Sequence, residues 1–244
     1  MISSIIHTSP RGMRPLFVIL AASFLTNSLL AIPVRILAWD RDIASRPLAI
    51  GDSKGTTKIE AMHPTQRTGI YQITAGDTPP AIVALDKKSP DGKLFSTPIK
   101  IPASTKNPLL IILPDEKAES GVRLFVLEDD TSGFSWGATR FINAMSKELV
   151  FVSEKKGTAL PPSWTPVQID PGGESRNREV KIFYRDQPEK AVYSAIWEQN
   201  SDVRMLVFLL PSEDPRLGPV GLKMISEDRR EIKADQAAQK PGKP

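Results

Sequence analysis

Chain-breaking residues constrain the fold of this chain more than any other feature. Its 244 residues include 22 prolines and 15 glycines, which interrupt nearly every segment. A proline inside a helix removes a hydrogen bond and clashes with the preceding turn, so this spacing disfavours long helices. Between the breaks, apolar residues recur at every second position, as at residues 34–38, 122–127 and 180–184. Such alternation predicts an all-β chain with the short strands of a sandwich or barrel.

Two further runs, residues 109–113 and 205–210, are apolar at every position and are each followed by a proline. Both are too short for a typical helix, so we predict central strands that are covered on both faces. The remaining predicted strands are residues 57–62, 69–73, 81–85, 99–101, 139–143, 149–153, 167–169, 191–198 and 220–225.

The two apolar runs stand in matching surroundings. Each is followed by an acidic turn, a glycine and an alternating strand, and the two copies lie about 100 residues apart. A second match, residues 34–38 with 139–143, opens each half. We therefore predict a duplication into two immunoglobulin-like β-sandwich modules, residues 32–130 and 131–226. Residues 227–244 are charged, lack an apolar pattern and predict a disordered tail.

The N-terminal segment has the three parts of an export signal. Arg11 and Arg14 precede a mostly apolar stretch, and small residues follow up to Ala31. We predict a signal helix over residues 1–31, removed as a signal peptide, and a secreted protein that is periplasmic or extracellular. A retained anchor is the alternative, although Ser23 and Thr26 interrupt the roughly 20 apolar residues that a spanning helix needs. A lipid anchor is excluded because it requires a cysteine, and the chain has none.

Composition excludes several classes of function. Without cysteine the chain has no disulfide, thiol nucleophile or cysteine-based zinc site. The two signal arginines supply half of the net charge of +4, and the balanced remainder predicts no nucleic acid binding, which needs a clustered basic face. Once His7 leaves with the signal, only His63 could serve a catalytic triad or a histidine metal site, and its turn setting predicts a surface residue. We predict no catalytic residue, no metal and no cofactor.

Acidic pairs stand where predicted strands give way to turns. Two carboxylates can hydrolyse a glycoside when they face each other across about 5–10 Å, and they can also bind calcium. At strand ends, however, Asp and Glu mostly cap and solvate turns, which is the interpretation we favour. The pairs are Asp40 with Asp42, Asp115 with Glu116, Asp129 with Asp130, and Glu213 with Asp214.

The four tryptophans are the remaining candidates for binding. Trp39 and Trp197 lie in alternating strands, which favours core or half-buried positions. Trp136 lies in a glycine-flanked segment between the halves, where packing of the two modules is favoured over ligand stacking. Trp164 follows two prolines in a loop and is the first candidate for a binding role. The predicted binding residues are therefore Trp164 and Trp136.

Several loose motifs are spread along the chain after the signal. They are residues 34–40, 110–117, Gly137, Arg140, Phe141, Asn143, 192–195, Trp197, Glu198 and 214–217. Together they resemble a group of uncharacterised exported bacterial proteins, over most of the chain after the signal. The resemblance implies a secreted or periplasmic β-rich protein, with no activity and no functional residue attached to it.

These observations predict a non-enzymatic cell-envelope protein that acts by binding or as an assembly component. Sandwich sheets offer edges and end loops to partners, so envelope proteins or glycans are the expected partners. After removal of the signal we expect no stable membrane span. The alternatives are a glycan-acting hydrolase that uses a carboxylate pair, and a carbohydrate-binding module that uses Trp164 or Trp136.

Overall fold

The structure is a computed structural model that describes residues 31–232 apart from residues 75 and 77. The chain is all-β in this range apart from one short helix, α1 (Arg41–Ser45), capped by Asp40, and a helical turn at residues 229–232. That turn lies within the predicted tail, so the prediction of disorder is wrong there. The predicted signal, residues 1–31, lies outside the described residues except for Ala31. The strands are β1 (Ala31–Ala38), β2 (Leu48–Asp52), β3 (Gly55–Lys58), β4 (Tyr71–Thr74), β5 (Ala81–Lys88), β6 (Leu94–Pro98), β7 (Pro108–Pro114), β8 (Val122–Glu128), β9 (Thr139–Asn143), β10 (Leu149–Ser153), β11 (Lys156–Leu160), β12 (Pro166–Ile169), β13 (Arg176–Tyr184), β14 (Gln187–Gln199), β15 (Val203–Pro211) and β16 (Val220–Asp228).

The strands form four four-stranded sheets that stack face to face. Sheet 1 has the order β3-β2-β5-β6 and sheet 2 the order β4-β1-β7-β8. Sheet 3 has the order β12-β9-β15-β16 and sheet 4 the order β11-β10-β13-β14. Sheets 1 and 2 therefore contain the first half of the chain, and sheets 3 and 4 contain the second half.

The two halves have the same strand pairing, displaced by eight strands. In each half the first strand pairs in parallel with the seventh, as β1 with β7 and β9 with β15. The other ladders are antiparallel and repeat in the same way, for example β2 with β5 and β10 with β13. Helix α1 is the main departure, because the connection between β9 and β10 contains no helix.

Three buried apolar clusters fill the spaces between the four sheets. One joins sheets 1 and 2 through residues such as Ile36 and Ile82, and another joins sheets 3 and 4 through Phe141 and Phe151. The third lies between sheets 2 and 3 and joins the two halves; we call this interface the seam. Its core contains Leu37, Leu109, Ile111, Leu113, Leu127, Phe134, Ala138, Ile142, Leu206, Phe208 and Ile225.

The seam explains why β7 and β15 are apolar on both faces. Both strands lie inside their sheets, so one face of each packs within its own half and the other face packs across the seam. This confirms the prediction of central strands covered on both sides. The alternation of Leu206 and Phe208 with Val207 and Leu209 divides β15 between the seam and the core of the second half.

Strand prediction was wrong at some short segments. Residues 99–101 are not a strand: Ile99 donates to the carbonyl of Pro80 at 2.8 Å, and its side chain joins the first core without a ladder. Strands β2, β6 and β11 were not predicted, because each has only five residues and none alternates regularly between buried and exposed positions. Strand β16 continues to Asp228, past the start of the predicted tail, because Glu227 is ion-paired at the seam. Residues 233–244 of that tail lie outside the described residues.

Among the described residues, no helix is both long and apolar enough to cross a membrane.

Candidate binding groove at the seam

Five charged side chains meet at one end of the seam and form what we call the seam ion cluster. The first half supplies Arg35 from β1, Arg67 from the segment before β4, and Asp129 from the position after β8. The second half supplies Arg204 from β15 and Glu227 from β16. Apart from Arg35, whose side chain is 23% exposed, these side chains are at most 10% exposed.

Asp129 is the centre of the seam ion cluster. Arg67 donates to its two carboxylate oxygens at 3.0 and 3.2 Å, and Arg35 also donates to it. Arg204 crosses from the second half, donating to the backbone carbonyl of Asp129 at 2.9 Å and to Glu227 at 2.7 Å. Buried charges are tolerated only when they are paired in this way, so the cluster holds the two halves in one relative position.

The arginines determine the protonation of both acids. Burial disfavours the ionised form of Asp129, but the charges of Arg67, Arg204 and Arg35 outweigh burial and lower its pKa below the ordinary value. The pKa of Glu227 is lowered by the same balance of burial and arginine charge. Both groups are therefore carboxylates at neutral pH and act as structural counter-ions.

Acid is expected to weaken the seam. Since the folded pKa values of Asp129 and Glu227 are lowered, both acids contribute stability that is fully present above their unfolded pKa values of about 4 and is lost as the pH falls through the folded values. Urea unfolding at a series of pH values should show a free energy that falls below about pH 4. The fall should be shallower for Glu227→Gln than for a variant of an exposed carboxylate, Glu119→Gln. Equal pH dependence in the two variants would contradict this assignment.

A groove opens over the other end of the seam and encloses about 750 Å³. Its first wall comes from the first half, where Trp39 follows β1 and His63 lies in the turn after β3. Its second wall comes from the second half, from the end of β15 to the start of β16. This second wall contains Leu210, Pro211, Ser212, Glu213, Asp214, Leu217, Gly221, Leu222 and Lys223.

Lys223 ties the two walls together. Its ammonium group donates to the backbone carbonyl of Pro64 at 2.8 Å, and its Nζ lies 5.6 Å from the centre of the Trp39 ring. Burial lowers the pKa of Lys223, and the negative charge of Asp40, which acts to raise it, does not cancel that effect. The groove therefore has an indole in one wall and a partly desolvated cation in the other, and its width depends on the relative position of the two halves.

The rim of the groove combines charged groups with one exposed apolar residue. The side chain of Leu217 is 77% exposed at the end of a 3-10 turn that follows β15. His63 is exposed, as its turn position predicted, and its Nδ1 accepts from the backbone nitrogen of Thr65 at 3.2 Å. Asp40 accepts from the Ile43 nitrogen at 2.8 Å as the cap of α1. The rim therefore presents one apolar contact point among polar and charged groups.

Most acidic pairs cap turns, as predicted, but Asp129 does not. Asp115, Asp130 and Asp214 each accept from the backbone nitrogen two residues later. Asp129 is instead buried among arginines. Wherever a carboxylate pKa shift is resolved in the described part of the chain, the shift is downward, which is opposite to what a general acid needs. Within the same part, no group of three or more His, Asp or Glu side chains could hold a metal ion.

The predicted binding residues Trp164 and Trp136 both lie against the seam, and neither lines the groove. The Trp164 ring packs 5.2 Å from Phe125 and 6.1 Å from Phe208, measured between ring centres. The guanidinium of Arg204 lies 5.0 Å from the centre of the Trp136 ring. A ligand role for either residue stays a prediction. Trp39, which contacts Trp164 at 6.2 Å, is the tryptophan that reaches the groove.

Sequence reasoning missed the residues that build the seam. Arg35, Arg140 and Arg204 each share a strand face with apolar neighbours, as Arg35 does with Leu37, and this mixture could have indicated a buried ionic contact. Arg140 is buried as well and donates to the carbonyl of Gly133 at 2.7 Å. No known protein family matches the chain, and no curated protein matches it either.

Proposed function

We propose that this chain is an exported, non-enzymatic protein of the cell envelope that binds a segment of another envelope protein in the seam groove. Export rests on the arginines, apolar stretch and small residues of the first 31 positions. Binding rests on one observation: a groove of about 750 Å³ whose walls come from both halves of the chain. The lowered carboxylate pKa values favour binding over glycoside hydrolysis.

We also propose that the two halves arose by internal duplication. The same pairing order in both halves supports this origin, together with the matching apolar runs of β7 and β15. The likeness of each half to an immunoglobulin sandwich stays a prediction. The parallel pairs β1–β7 and β9–β15 differ from the antiparallel sheets of a constant-type immunoglobulin domain.

A protein segment suits the groove in size and chemistry. Its volume falls within the range of about 300–1,000 Å³ that ligand sites enclose. Leu217 and Trp39 offer apolar contact, while Lys223 and the acids of the rim offer charged partners on both sides. Such a mixture of apolar contacts and charged partners suits a specific but non-obligate protein interface, which is about as apolar as the rest of a protein surface.

Site-specific photocrosslinking in the native envelope tests this proposal. A benzophenone side chain at position 217 should form an adduct with one envelope protein, and mass spectrometry should identify the linked segment. The same group at Ile70, which is 66% exposed outside the groove, is the control and should not form that adduct. The same adduct from both positions, or none from position 217, would contradict binding in the groove.

Leu217→Asp is expected to weaken binding of the identified segment. The substitution places a charge at the most exposed apolar point of the rim, so the dissociation constant of a synthetic peptide should rise at least about tenfold. Ile70→Asp is the matched control and should leave the constant unchanged. Fluorescence anisotropy of the labelled peptide measures both values.

One observation favours an envelope glycan as a second candidate ligand. Trp39 forms part of the groove wall, and indole rings stack on sugars in many binding sites. A glycan array would separate the glycan from the protein segment as ligand. If the ligand is a glycan, the wild-type protein should bind it on the array, and the Leu217→Asp variant should not.

A further inference from the structure

A second cleft opens inside the second half, away from the seam groove. It encloses about 450 Å³ between sheets 3 and 4, and residues of both edge strands, β14 and β16, line it. Sheet 4 contributes Trp197 and Tyr193, and sheet 3 contributes Met205 and Met224. The cleft therefore exposes part of the core of a sandwich, and its lining is mostly apolar.

One buried cation, Arg178 of β13, lines this cleft. The residue is only 4% exposed. Its guanidinium donates to the hydroxyl of Ser153 at 3.2 Å and to the side-chain carbonyl of Gln199 at 3.1 Å, and both partners are neutral. The Nε atom is buried and has no hydrogen-bond partner in the described part of the chain. Three of the five N–H groups of the guanidinium therefore have no protein acceptor there.

Arg178 has fewer protein acceptors than Arg204 and Arg140, two other buried arginines. Arg204 binds two carboxylates and two backbone carbonyls, and Arg140 binds two backbone carbonyls and a side-chain amide. Arg178 has no carboxylate within 4.0 Å among the described residues. Burial lowers its pKa, as expected for a cation without a close counter-ion. A guanidinium whose Nε has no protein acceptor can receive an anionic ligand without losing a hydrogen bond to the protein at that atom.

We propose that this cleft binds a small amphipathic carboxylate, with its head group on Arg178 and its apolar body between sheets 3 and 4. A carboxylate matches the planar fork of a guanidinium and can accept two parallel hydrogen bonds from it. Its single negative charge neutralises the single positive charge of Arg178, whereas a phosphate dianion would leave a charge buried and unpaired. Trp197 and Met205 offer apolar contact to the body of the ligand.

This site is independent of the seam groove, so either proposal can fail without the other. It needs no partner protein, and none of its lining residues belongs to the groove. The proposed ligand is an alkyl carboxylic acid, for which octanoate is a suitable probe.

Calorimetric titration of the wild-type protein with octanoate, 1-octanol and acetate tests the proposal without any substitution. Octanoate should bind at least about tenfold more tightly than 1-octanol, because only the carboxylate pairs with the guanidinium. It should also bind more tightly than acetate, which lacks the apolar body. Equal affinity of octanoate and 1-octanol would overturn the role of Arg178, and equal affinity of octanoate and acetate would overturn the apolar site.

Two substitutions on one strand then locate the site. Arg178→Met should weaken octanoate binding at least about tenfold, and its fold should survive because an apolar residue replaces an unpaired buried charge. Arg176→Gln is the matched control: it removes the same charge from β13, but Arg176 pairs with Glu154 at 2.8 Å outside the cleft. Unchanged binding in a folded Arg178→Met variant, or equal loss in both variants, would overturn the proposal. If Arg178→Met does not fold by circular dichroism, the wild-type comparison of octanoate with 1-octanol decides.

Discussion

Asp129→Ala is expected to lower the free energy of unfolding by about 3–5 kcal/mol. We expect no other substitution of a single charged side chain in this protein to cost more. The reason is the position of the carboxylate among Arg35, Arg67 and Arg204. Without it, Glu227 would be their only acidic partner among the described residues. Removing one member of a buried ion cluster leaves the others desolvated and unpaired, which costs more than the cluster itself contributes.

The neighbouring residue provides a matched control for this loss. Asp130 accepts from the backbone nitrogen of Ser132 at 2.7 Å in an exposed turn, so Asp130→Asn should cost about 1 kcal/mol or less. Urea unfolding followed by circular dichroism measures both variants. Similar losses in the two variants would show that Asp129 does not hold the seam.

Phe208→Ala is expected to cost a similar amount, about 3–5 kcal/mol. Phe208 is fully buried in the seam and packs edge-on against Trp39, with 5.1 Å between ring centres. Truncation would leave a cavity between sheets that are held from both sides and so cannot close around it. The substitution should also weaken ligand binding in the groove, because Trp39 would lose its support.

Phe183 provides the chemical control for Phe208. It lies in β13 next to Ile182 and is only half-buried, so Phe183→Ala removes the same atoms from a less enclosed position. Its cost should be clearly smaller than that of Phe208→Ala in the same urea unfolding experiment. An equal cost would mean that the seam core is no more tightly packed than the outer surface of sheet 4.

The sequence predicted the strands well wherever burial alone determines their pattern. β9 and β10 begin and end at the predicted residues, and the fully apolar runs are the central strands β7 and β15. The prediction missed strands in which buried and exposed residues are mixed, as at β11, whose five residues are mostly exposed. Residues 99–101 show the opposite error, because apolar side chains can enter a core from a segment that pairs with no strand.

The seam could not be predicted from local patterns because its members are distant in the sequence. Asp129 and Asp130 are adjacent acids at a strand end, and only the approach of distant arginines, such as Arg204 from the second half, distinguishes the buried Asp129 from its neighbour. The residues that line the groove are also distant in the sequence, since His63 and Lys223 come from different halves. Trp164 was a reasonable candidate as a loop tryptophan, yet the loop turns it towards Phe125 and Phe208.

The central claim is that the two halves form one body whose seam carries the binding groove. Differential scanning calorimetry of the protein tests this claim most directly, because a seam with a buried core and a buried ion cluster should make the halves unfold together. For the wild-type protein we expect a single transition with equal calorimetric and van't Hoff enthalpies. The Asp129→Ala variant should also show a single transition, at a lower temperature. Two separate transitions, of which Asp129→Ala moves only one, would contradict the claim.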